Sequence, residues 1–392
     1  MEDELRRDQF GNFDFGLSPE EEARAARIHD ESIIIDMVFW GPCTYRSFTQ
    51  QMGKELIDFW ETYRNSSKTV FRGSYQPQQL AIRGDFVEFK NCWDASGVTA
   101  GSRWVEGFTS IEDFAFTFGL NTAMFDQLPW VIKVLRADDI RRAKTERKHA
   151  AWLHAQLSGN INANFLDLIE PSYYLGLRMV QLTYNFMTFI GAGCTERTDA
   201  GLSNYGAKVV RRMNELGIIV DTGHCGRQTT LDASALSTAP VIASHTSAEG
   251  VYRHARAKSD EELRAIAATG GVVGVYCMPF CLAPGHGVTI ESMLDHIDYV
   301  SNLIGWQHVG IGTDWPMAMP KRILQEVLSI RLSDIGFRKE DHFDPVSNLI
   351  GFDDYRDFPN ITRGLVKRGY RNDQIKGILG KNILKVFEEV WG

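Results

Sequence analysis

Two histidines end apolar, strand-like runs of the sequence, where they could bind a metal ion. His224 ends "LGIIVDTGH", and His245 ends "PVIASH" 21 residues further along the chain. A third run, "GIGTDW", places Asp314 in a comparable position. Neutral imidazoles and carboxylate oxygens both suit zinc. These residues therefore predict a divalent-metal site in which Asp314 is either a third ligand or the proton carrier for a reacting water molecule.

Three other polar residues have related positions. Asp36 and Tyr184 belong to the ends of further apolar runs, and Arg256 follows His245 in the next loop. Asp36 comes too early on its run to be a good ligand. If the runs are parallel strands, their carboxyl ends meet at one face, where active sites of such folds are found.

The elements that must position these residues alternate along the chain. Between apolar runs lie amphipathic helical patterns such as 202–216 and 290–304, which favours parallel strands with right-handed crossovers. The eight candidate strands cover 33–37, 96–101, 150–157, 177–185, 216–224, 240–245, 270–277 and 308–315. Eight such units predict a (β/α)8 TIM barrel. The dinucleotide-binding alternative lacks support because no GxGxxG follows the first strand.

The remaining segments are predicted to be parts of one domain spanning residues 1–392. Residues 1–30 form an N-terminal helical extension, in which Ser18 is a helix N-cap and Pro19 suits the first helical turn. The aromatic-rich and polar stretch 41–95 interrupts the alternation as an insertion after the first strand. Residues 320–392 form a C-terminal helical segment.

Composition limits the classes of partner. The net charge is −8, and there are no basic runs or stripes, which argues against binding to nucleic acid or anionic membranes. The N-terminus has no signal-peptide pattern, and no apolar run approaches the ~18 residues of a membrane span. The six cysteines show no disulfide-framework or CxxC spacing, and reduced cysteines are a better interpretation of Cys277 and Cys281, four residues apart, than a metal-binding pair. We therefore expect a cytoplasmic protein with a small-molecule substrate.

A longer set of motifs resembles a known family. The stretches "TDAGLSNYGAKVVRRMNELGIIVDTGHCG", "APVIASHTSA", "YRHARAKSDEEL" and "MLDHIDYVSNLIGWQHVGIGTDW" resemble the membrane dipeptidase (renal dipeptidase) family of amidohydrolase-type barrels. The similarity extends from about residue 20 to 390 and is strongest over 176–315. It implies the barrel fold, a homodimer and, in members with dipeptidase activity, two zinc ions.

The resemblance also implies a set of ligands that this sequence only partly retains. His224 and His245 match the histidines of one ion. Val38 and Trp40 stand where the family has the first-strand His-x-Asp of the other ion. Leu157, or by a one-residue slip Gln156, stands where a glutamate bridges both ions. We therefore expect at most one zinc ion, with Asp314 as the first candidate for a third ligand.

The remaining roles follow from the same resemblance. Tyr184 replaces a histidine that polarises the substrate carbonyl, Arg256 matches a clamp for the substrate carboxylate, and Asp314 matches the acid/base aspartate. Trp40 makes the pocket apolar and is expected to contact substrate. The first hypothesis is a metal-dependent hydrolase of a small amide, dipeptide or lactam that carries a carboxylate. A metal-light lyase, decarboxylase or isomerase, or a non-catalytic binding protein, are the alternatives.

Overall fold

The computed structural model describes residues 10–44, 46–106, 108, 110–157, 164–314, 316 and 319–392. Residues 1–9 of the predicted N-terminal extension and Trp315, the last residue of the predicted eighth strand, lie outside the described residues. The strands are β1 (Ile35–Asp36), β2 (Ala100–Val105), β3 (Val131–Lys133), β4 (His149–Gln156), β5 (Leu177–Gln181), β6 (Ile219–Asp221), β7 (Val241–Ala248), β8 (Ala257–Lys258), β9 (Val273–Val275) and β10 (Val309–Ile311).

Eight of these strands close into a parallel barrel. They are hydrogen-bonded in the order β2-β1-β10-β9-β7-β6-β5-β4, and β4 pairs back to β2. The short β3 and β8 pair only with β4 and β7, respectively, and lie off the ring. Each of the eight predicted runs overlaps one barrel strand, so the predicted (β/α)8 barrel is confirmed.

The second strand begins later than predicted. Residues 96–101 were expected to form it, but Ser96 ends a helix and Gly97 caps that helix with a φ of 70°. The strand can start only after this left-handed residue, which glycine adopts without steric cost. The strands β3 and β8 were not predicted, because three and two residues carry no readable periodicity.

Helices surround the barrel and follow most of its strands. The α-helices are α1 (Pro19–Glu31), α2 (Gln50–Tyr63), α3 (Ser66–Ile82), α4 (Glu88–Ser96), α5 (Ile111–Gln127), α6 (Ala137–Thr145), α7 (Phe165–Leu175), α8 (Asn204–Leu216), α9 (Arg227–Leu236), α10 (Asp260–Ala268), α11 (Pro279–Leu282), α12 (Ile290–Ile304), α13 (Lys321–Ile323), α14 (Ser329–Asp334), α15 (Pro359–Lys367), α16 (Asn372–Lys376) and α17 (Asn382–Trp391). Leu324–Leu328 and Gly377–Lys381 are π-helical, and Trp306–His308, Lys339–Asp341 and Tyr355–Asp357 are 3₁₀ turns. None of the helices within the described ranges has both the length and the apolar character needed to cross a bilayer.

The helix α1 begins where the sequence predicts. Ser18 accepts a hydrogen bond from the backbone of Glu21, and the Glu21 side chain accepts one from the backbone of Ser18. This capping box satisfies two backbone donors that the first helical turn would otherwise leave free. The helix then packs against α15.

Side chains fill the barrel below the carboxyl ends of its strands. A Cβ atom at Gly274 would lie 2.0 Å from the Ser244 carbonyl oxygen and 2.6 Å from Met37 Cε. The backbone oxygen cannot move aside, so this position must be glycine, and the space it leaves is filled by Met37. Asp36 accepts hydrogen bonds from the Val38 and Thr313 backbone amides, at 3.1 and 2.9 Å, and from the Thr313 hydroxyl. Its carboxylate thus joins β1 to β10, in keeping with its exclusion as a ligand.

Two helical segments cover the face at the carboxyl ends of the barrel strands. The predicted insertion 41–95 contains α2, α3 and α4, and the predicted C-terminal segment 320–392 begins with α13. The helix α3 packs against α14 and against the π-helical turn that precedes it. Together they enclose a cavity of about 440 Å³ above the barrel.

Candidate metal centre and active site

The structure brings His224, His245 and Asp314 together, and His224 and Asp314 line the floor of this cavity. His224 follows β6, His245 lies within β7, and Asp314 follows β10. The two imidazole centroids are 4.9 Å apart, and His245 Nε2 lies 3.7 Å from Asp314 Oδ2. One potential ligand atom from each of the three residues lies within 4.8 Å of the others. The sequence placed all three at one rim, and the geometry allows them to share one ion.

A hydrogen bond fixes the tautomer of His224. Its Nδ1 lies 2.7 Å from Asn185 Oδ1, and the Asn185 amide nitrogen donates to the Ile335 carbonyl at 2.9 Å. Because the second contact sets the orientation of the amide, Oδ1 can only accept, and Nδ1 carries the proton. The lone pair of His224 is therefore on Nε2, as a metal ligand requires.

A relay of two hydrogen bonds fixes His245 in the same way. Ser244 Oγ donates to Asp221 Oδ2 at 2.5 Å, so its oxygen accepts from His245 Nδ1 at 2.8 Å. Asp221 also accepts from the backbone amides of Gly223 and Ser244, at 2.9 and 2.8 Å. Such carboxylate-linked imidazoles are typical of histidines that bind metals.

The two Nε2 atoms have no hydrogen-bond partner among the described residues, although both are buried. Burial, and after it the positive charge of Arg256, lowers the pKa of both imidazoles well below the usual value, so both rings are neutral. A buried acceptor without a partner is unfavourable unless a ligand satisfies it. This observation shows that the residues present fit a metal ion.

Asp314 is held in an unusual backbone conformation. Its φ is 49°, its amide donates to the Val38 carbonyl at 3.0 Å, and the Trp40 indole donates to Oδ1 at 2.7 Å. Strained positions of this kind concentrate at functional sites. Burial raises the pKa of Asp314 to about 7, although the Trp40 hydrogen bond and Arg256 oppose the shift. Its second oxygen, Oδ2, faces His245.

The opposite half of the rim carries different side chains at the positions where the resemblance implies the remaining ligands. A small cavity beside Asp314 is lined by Val38, Trp40 and Gln156, among others. Gln156 and Leu157 both line the main cavity, but only Gln156 also lines this small cavity, together with His154 of the same strand, whereas Leu157 also packs into a hydrophobic cluster. Of the two residues compared with the bridging glutamate, Gln156 is therefore the one that lies beside Val38 and Trp40. Val38, Trp40 and Gln156 thus stand where the family resemblance implies three metal ligands.

His154 was missed by the sequence analysis. It is buried in the middle of β4, and its Nε2 lies 3.3 Å from Asp221 Oδ2. Burial has the largest single effect on the pKa of Asp221 and raises it, but His154, His245 and Ser244 together outweigh burial, and the net shift is downward. His154 thus supports the carboxylate that orients His245. The sequence could have indicated this position, because His154 lies two residues before Gln156 on the same strand and alternate residues of a strand share a face.

Tyr184 lines the main cavity directly above the metal ligands. Its ring stacks on His224 at a centroid distance of 3.9 Å and an angle of 21°. Burial raises the pKa of the phenol above its usual value, so the hydroxyl stays protonated. It can therefore donate a hydrogen bond to a substrate oxygen in the cavity.

Arg256 is buried beside the two histidines. It donates to the carbonyls of Gly223 and, at 3.4 Å, His245. The side chains that line the main cavity, within the described residues, do not include it. The guanidinium thus connects the segments that carry the two histidines, and its role as a clamp for a substrate carboxylate stays a prediction.

The main cavity has a largely polar floor, apolar walls and a few charged side chains above the floor. Trp40, Tyr184, His224, Asp314 and Gln156 form its floor. Phe71 and Val70 from α3, Phe108 and Leu157 from the barrel rim, Met278, and Leu328, Leu332, Ile335, Phe337 and Phe343 from the C-terminal segment form apolar walls. Lys68, Glu106, Asp113 and Arg331 are the charged side chains above the floor.

Comparison with known proteins finds relatives that are named as dipeptidases. Dipeptidase tcpJ of Claviceps purpurea (strain 20.1) is 28% identical over 258 residues, which are 65% of this chain and 54% of that protein. The chain spans about half the length of the curated relatives it matches.

Solved structures extend the similarity over nearly the whole chain. An amidohydrolase from Pseudomonas aeruginosa is 26% identical with a TM-score of 0.72, covering 94% of this chain and 99% of that one. The probable dipeptidase PvdM from the same organism is 17% identical with a TM-score of 0.70, covering 96% and 99%, and shows the same fold. The family model for membrane dipeptidases (peptidase family M19) matches residues 120–331 and 341–391, which is more than half of the chain. The protein therefore belongs to the membrane dipeptidase family.

Proposed function

We propose that the protein hydrolyses a small dipeptide-like amide with the help of one zinc ion held by His224, His245 and Asp314. The observation that carries this proposal is the pair of buried Nε2 atoms without partners among the described residues, with the Asp314 carboxylate beside them. Three protein ligands with an open position are typical of catalytic zinc. The names of the curated relatives support the choice of a dipeptide-like substrate.

The side chains present divide the work of amide hydrolysis. A zinc ion at this site would supply Lewis acidity for the attack of water on the amide carbonyl. As the carboxylate beside the ion, Asp314 also takes the proton of the attacking water and returns it to the leaving amine. Tyr184 donates a hydrogen bond to the carbonyl oxygen as negative charge develops there.

The metal content of the purified protein tests the proposal. We expect about one zinc per chain in protein prepared without chelators or an affinity tag, and loss of this zinc in the double variant His224→Ala/His245→Ala. His286→Ala is the matched control, because His286 is exposed on a loop and should leave zinc unchanged. Turnover of a dipeptide panel is measured on the same samples, before and after chelation.

The outcomes separate the three functional hypotheses. Zinc-dependent turnover that disappears in the double variant supports the proposal. Turnover that survives exhaustive chelation would favour a metal-light lyase, decarboxylase or isomerase. Tight binding of a small carboxylate without turnover of any amide would indicate a binding protein. The inferred homodimer is tested separately by light scattering of the same preparation.

A further inference from the structure

Four charged side chains line the main cavity above its floor, and the metal centre uses none of them. Glu106 follows β2, Asp113 lies in the first turn of α5, Arg331 lies on α14, and Lys68 lies on α3. Within the described part of the chain, none of the four forms an ion pair within 4.0 Å, and their side chains make no hydrogen bond to another residue. Charges that face a cavity in this way are available to a ligand.

Glu106 and Asp113 form an anionic side of the cavity. Burial and then the nearby charge of Asp113 raise the pKa of Glu106 to about 7, so the two carboxyl groups lie close enough to repel each other. Both line the same cavity. A bound ammonium group would relieve this repulsion and favour the ionised form of Glu106.

Arg331 supplies a positive charge in the same space. It lines the same cavity as Glu106, and its positive charge opposes the upward shift in the pKa of Glu106. Unlike Arg256, whose donors reach the carbonyls of Gly223 and His245, the guanidinium of Arg331 has no acceptor among the described residues. A planar guanidinium of this kind can bind a carboxylate through two parallel hydrogen bonds.

We propose that Arg331 binds the carboxylate, and Glu106 with Asp113 the ammonium group, of a zwitterionic substrate. The inference rests on the proposed function, because it takes the bond between the ammonium and carboxylate ends of the substrate to be the amide that is hydrolysed. It assigns the role of carboxylate clamp to α14 of the C-terminal segment, since Arg256 is buried beside the histidines and is not among the described residues that line the cavity. The substrate is accordingly a free dipeptide, with both termini uncapped, and the apolar walls receive its side chains.

Binding of a hydrolysis-resistant ligand tests this inference without turnover. The probe is an Ala-Ala analogue in which a ketomethylene group replaces the amide, used in three forms: free, N-acetylated and C-terminally amidated. Its affinity is measured by calorimetry for the wild-type protein and for Glu106→Gln, Arg331→Gln and Arg331→Lys. Arg27→Gln is the control, because Arg27 is an exposed cation on α1. Urea unfolding verifies that each variant folds.

The expected pattern pairs each residue with one end of the ligand. N-acetylation should weaken binding to the wild type by about ten- to a hundredfold and have no further effect in Glu106→Gln. C-terminal amidation should weaken binding to the wild type by a similar factor and have no further effect in Arg331→Gln. Arg331→Lys should give an intermediate affinity, because lysine keeps the positive charge but cannot form two parallel hydrogen bonds. Variants that weaken all three ligand forms equally, or none of them, would overturn the inference.

The same ligands distinguish failure of this inference from failure of the proposed function. Charge-dependent binding without turnover of any dipeptide would contradict the proposed hydrolysis but support the proposed recognition of the termini. Zinc-dependent hydrolysis with equal kcat/KM for free and capped dipeptides would contradict the proposed recognition but support the proposed hydrolysis.

Discussion

The two halves of the barrel rim differ in the side chains that they offer to a metal ion. After β6 and on β7, His224 and His245 are oriented by Asn185 and by the Ser244–Asp221 relay, and the Nε2 atom of each has no partner among the described residues. In the other half, Val38 and Trp40 follow β1 and Gln156 ends β4. The comparison shows that a metal half-site consists of its supporting hydrogen bonds as much as of its ligands.

The difference also changes what Asp314 does. The Trp40 indole donates to one of its oxygens, and its ring contacts Trp104 at a centroid distance of 4.7 Å. An aromatic pair thus occupies the side of the rim where the family resemblance implies a second ion. One carboxylate oxygen is held by the indole, and only the other remains for the metal centre and proton transfer.

Rebuilding the missing half should have the largest effect. We expect the triple variant Val38→His/Trp40→Asp/Gln156→Glu to bind about two zinc ions per chain in place of about one, since it supplies a histidine, an aspartate and a bridging carboxylate. Metal content by mass spectrometry checks this. The matched control, Val38→His/Trp40→Asp, lacks the bridging group and should remain near one ion. Equal zinc content in the two variants would show that the two halves differ in more than their ligands.

Several parts of this comparison could be predicted from the sequence. His224, His245, Asp314 and Tyr184 each end an apolar run, and strand ends of a parallel barrel must meet at one face. The loss of the first-strand ligands was visible as Val38 and Trp40.

Other parts depended on coordinates. A shift of one residue exchanges the two faces of a strand, so sequence could not decide between Gln156 and Leu157. The acceptors of Arg256 are backbone carbonyls, which have no sequence signature. Arg331 lies in a segment recognised only as helical, and its position above the cavity depends on the packing of α14 against α3.

Removing the relay behind His245 should weaken the metal centre by the next largest amount. In Ser244→Ala, His245 Nδ1 loses its acceptor and the link to Asp221, so we expect zinc affinity to fall about ten- to a hundredfold. Competition with a chromophoric chelator measures the affinity. Ser247→Ala is the matched control, because Ser247 lies buried on the same strand but bonds Tyr276 and Cys281. A similar loss in both variants would indicate general damage to β7.

A histidine far from the rim should affect stability and leave the metal unchanged. Burial lowers the pKa of His29 to about 4, and its ring contacts Thr362 Oγ1 at 2.8 Å and the Ser96 carbonyl at 3.2 Å. Because the unfolded state binds a proton near pH 6.5 and the folded state only near pH 4, stability is lost as the pH falls through this window. Allowing for its partial exposure, the loss should be about 1–3 kcal/mol.

Urea unfolding at pH 7 and pH 4.5 measures this loss. In His29→Gln the difference between the two pH values should shrink by the contribution of His29, while zinc content at pH 7 stays at the wild-type level. An unchanged pH dependence in this variant would assign the effect to other groups. Loss of zinc would contradict the separation between structural and rim histidines.

The smallest effect should come from removing the hydrogen bond between the Trp40 indole and Asp314. In Trp40→Phe, Asp314 Oδ1 loses its indole donor, while an aromatic ring still fills the space beside Trp104. A single hydrogen bond to a carboxylate of this kind contributes about 0.5–1.5 kcal/mol, so kcat/KM should fall about two- to tenfold with zinc content unchanged. Steady-state kinetics on a zinc-loaded sample checks this. A loss above a hundredfold would make Trp40 a catalytic residue in its own right, whereas full activity would show that the apolar half only fills space.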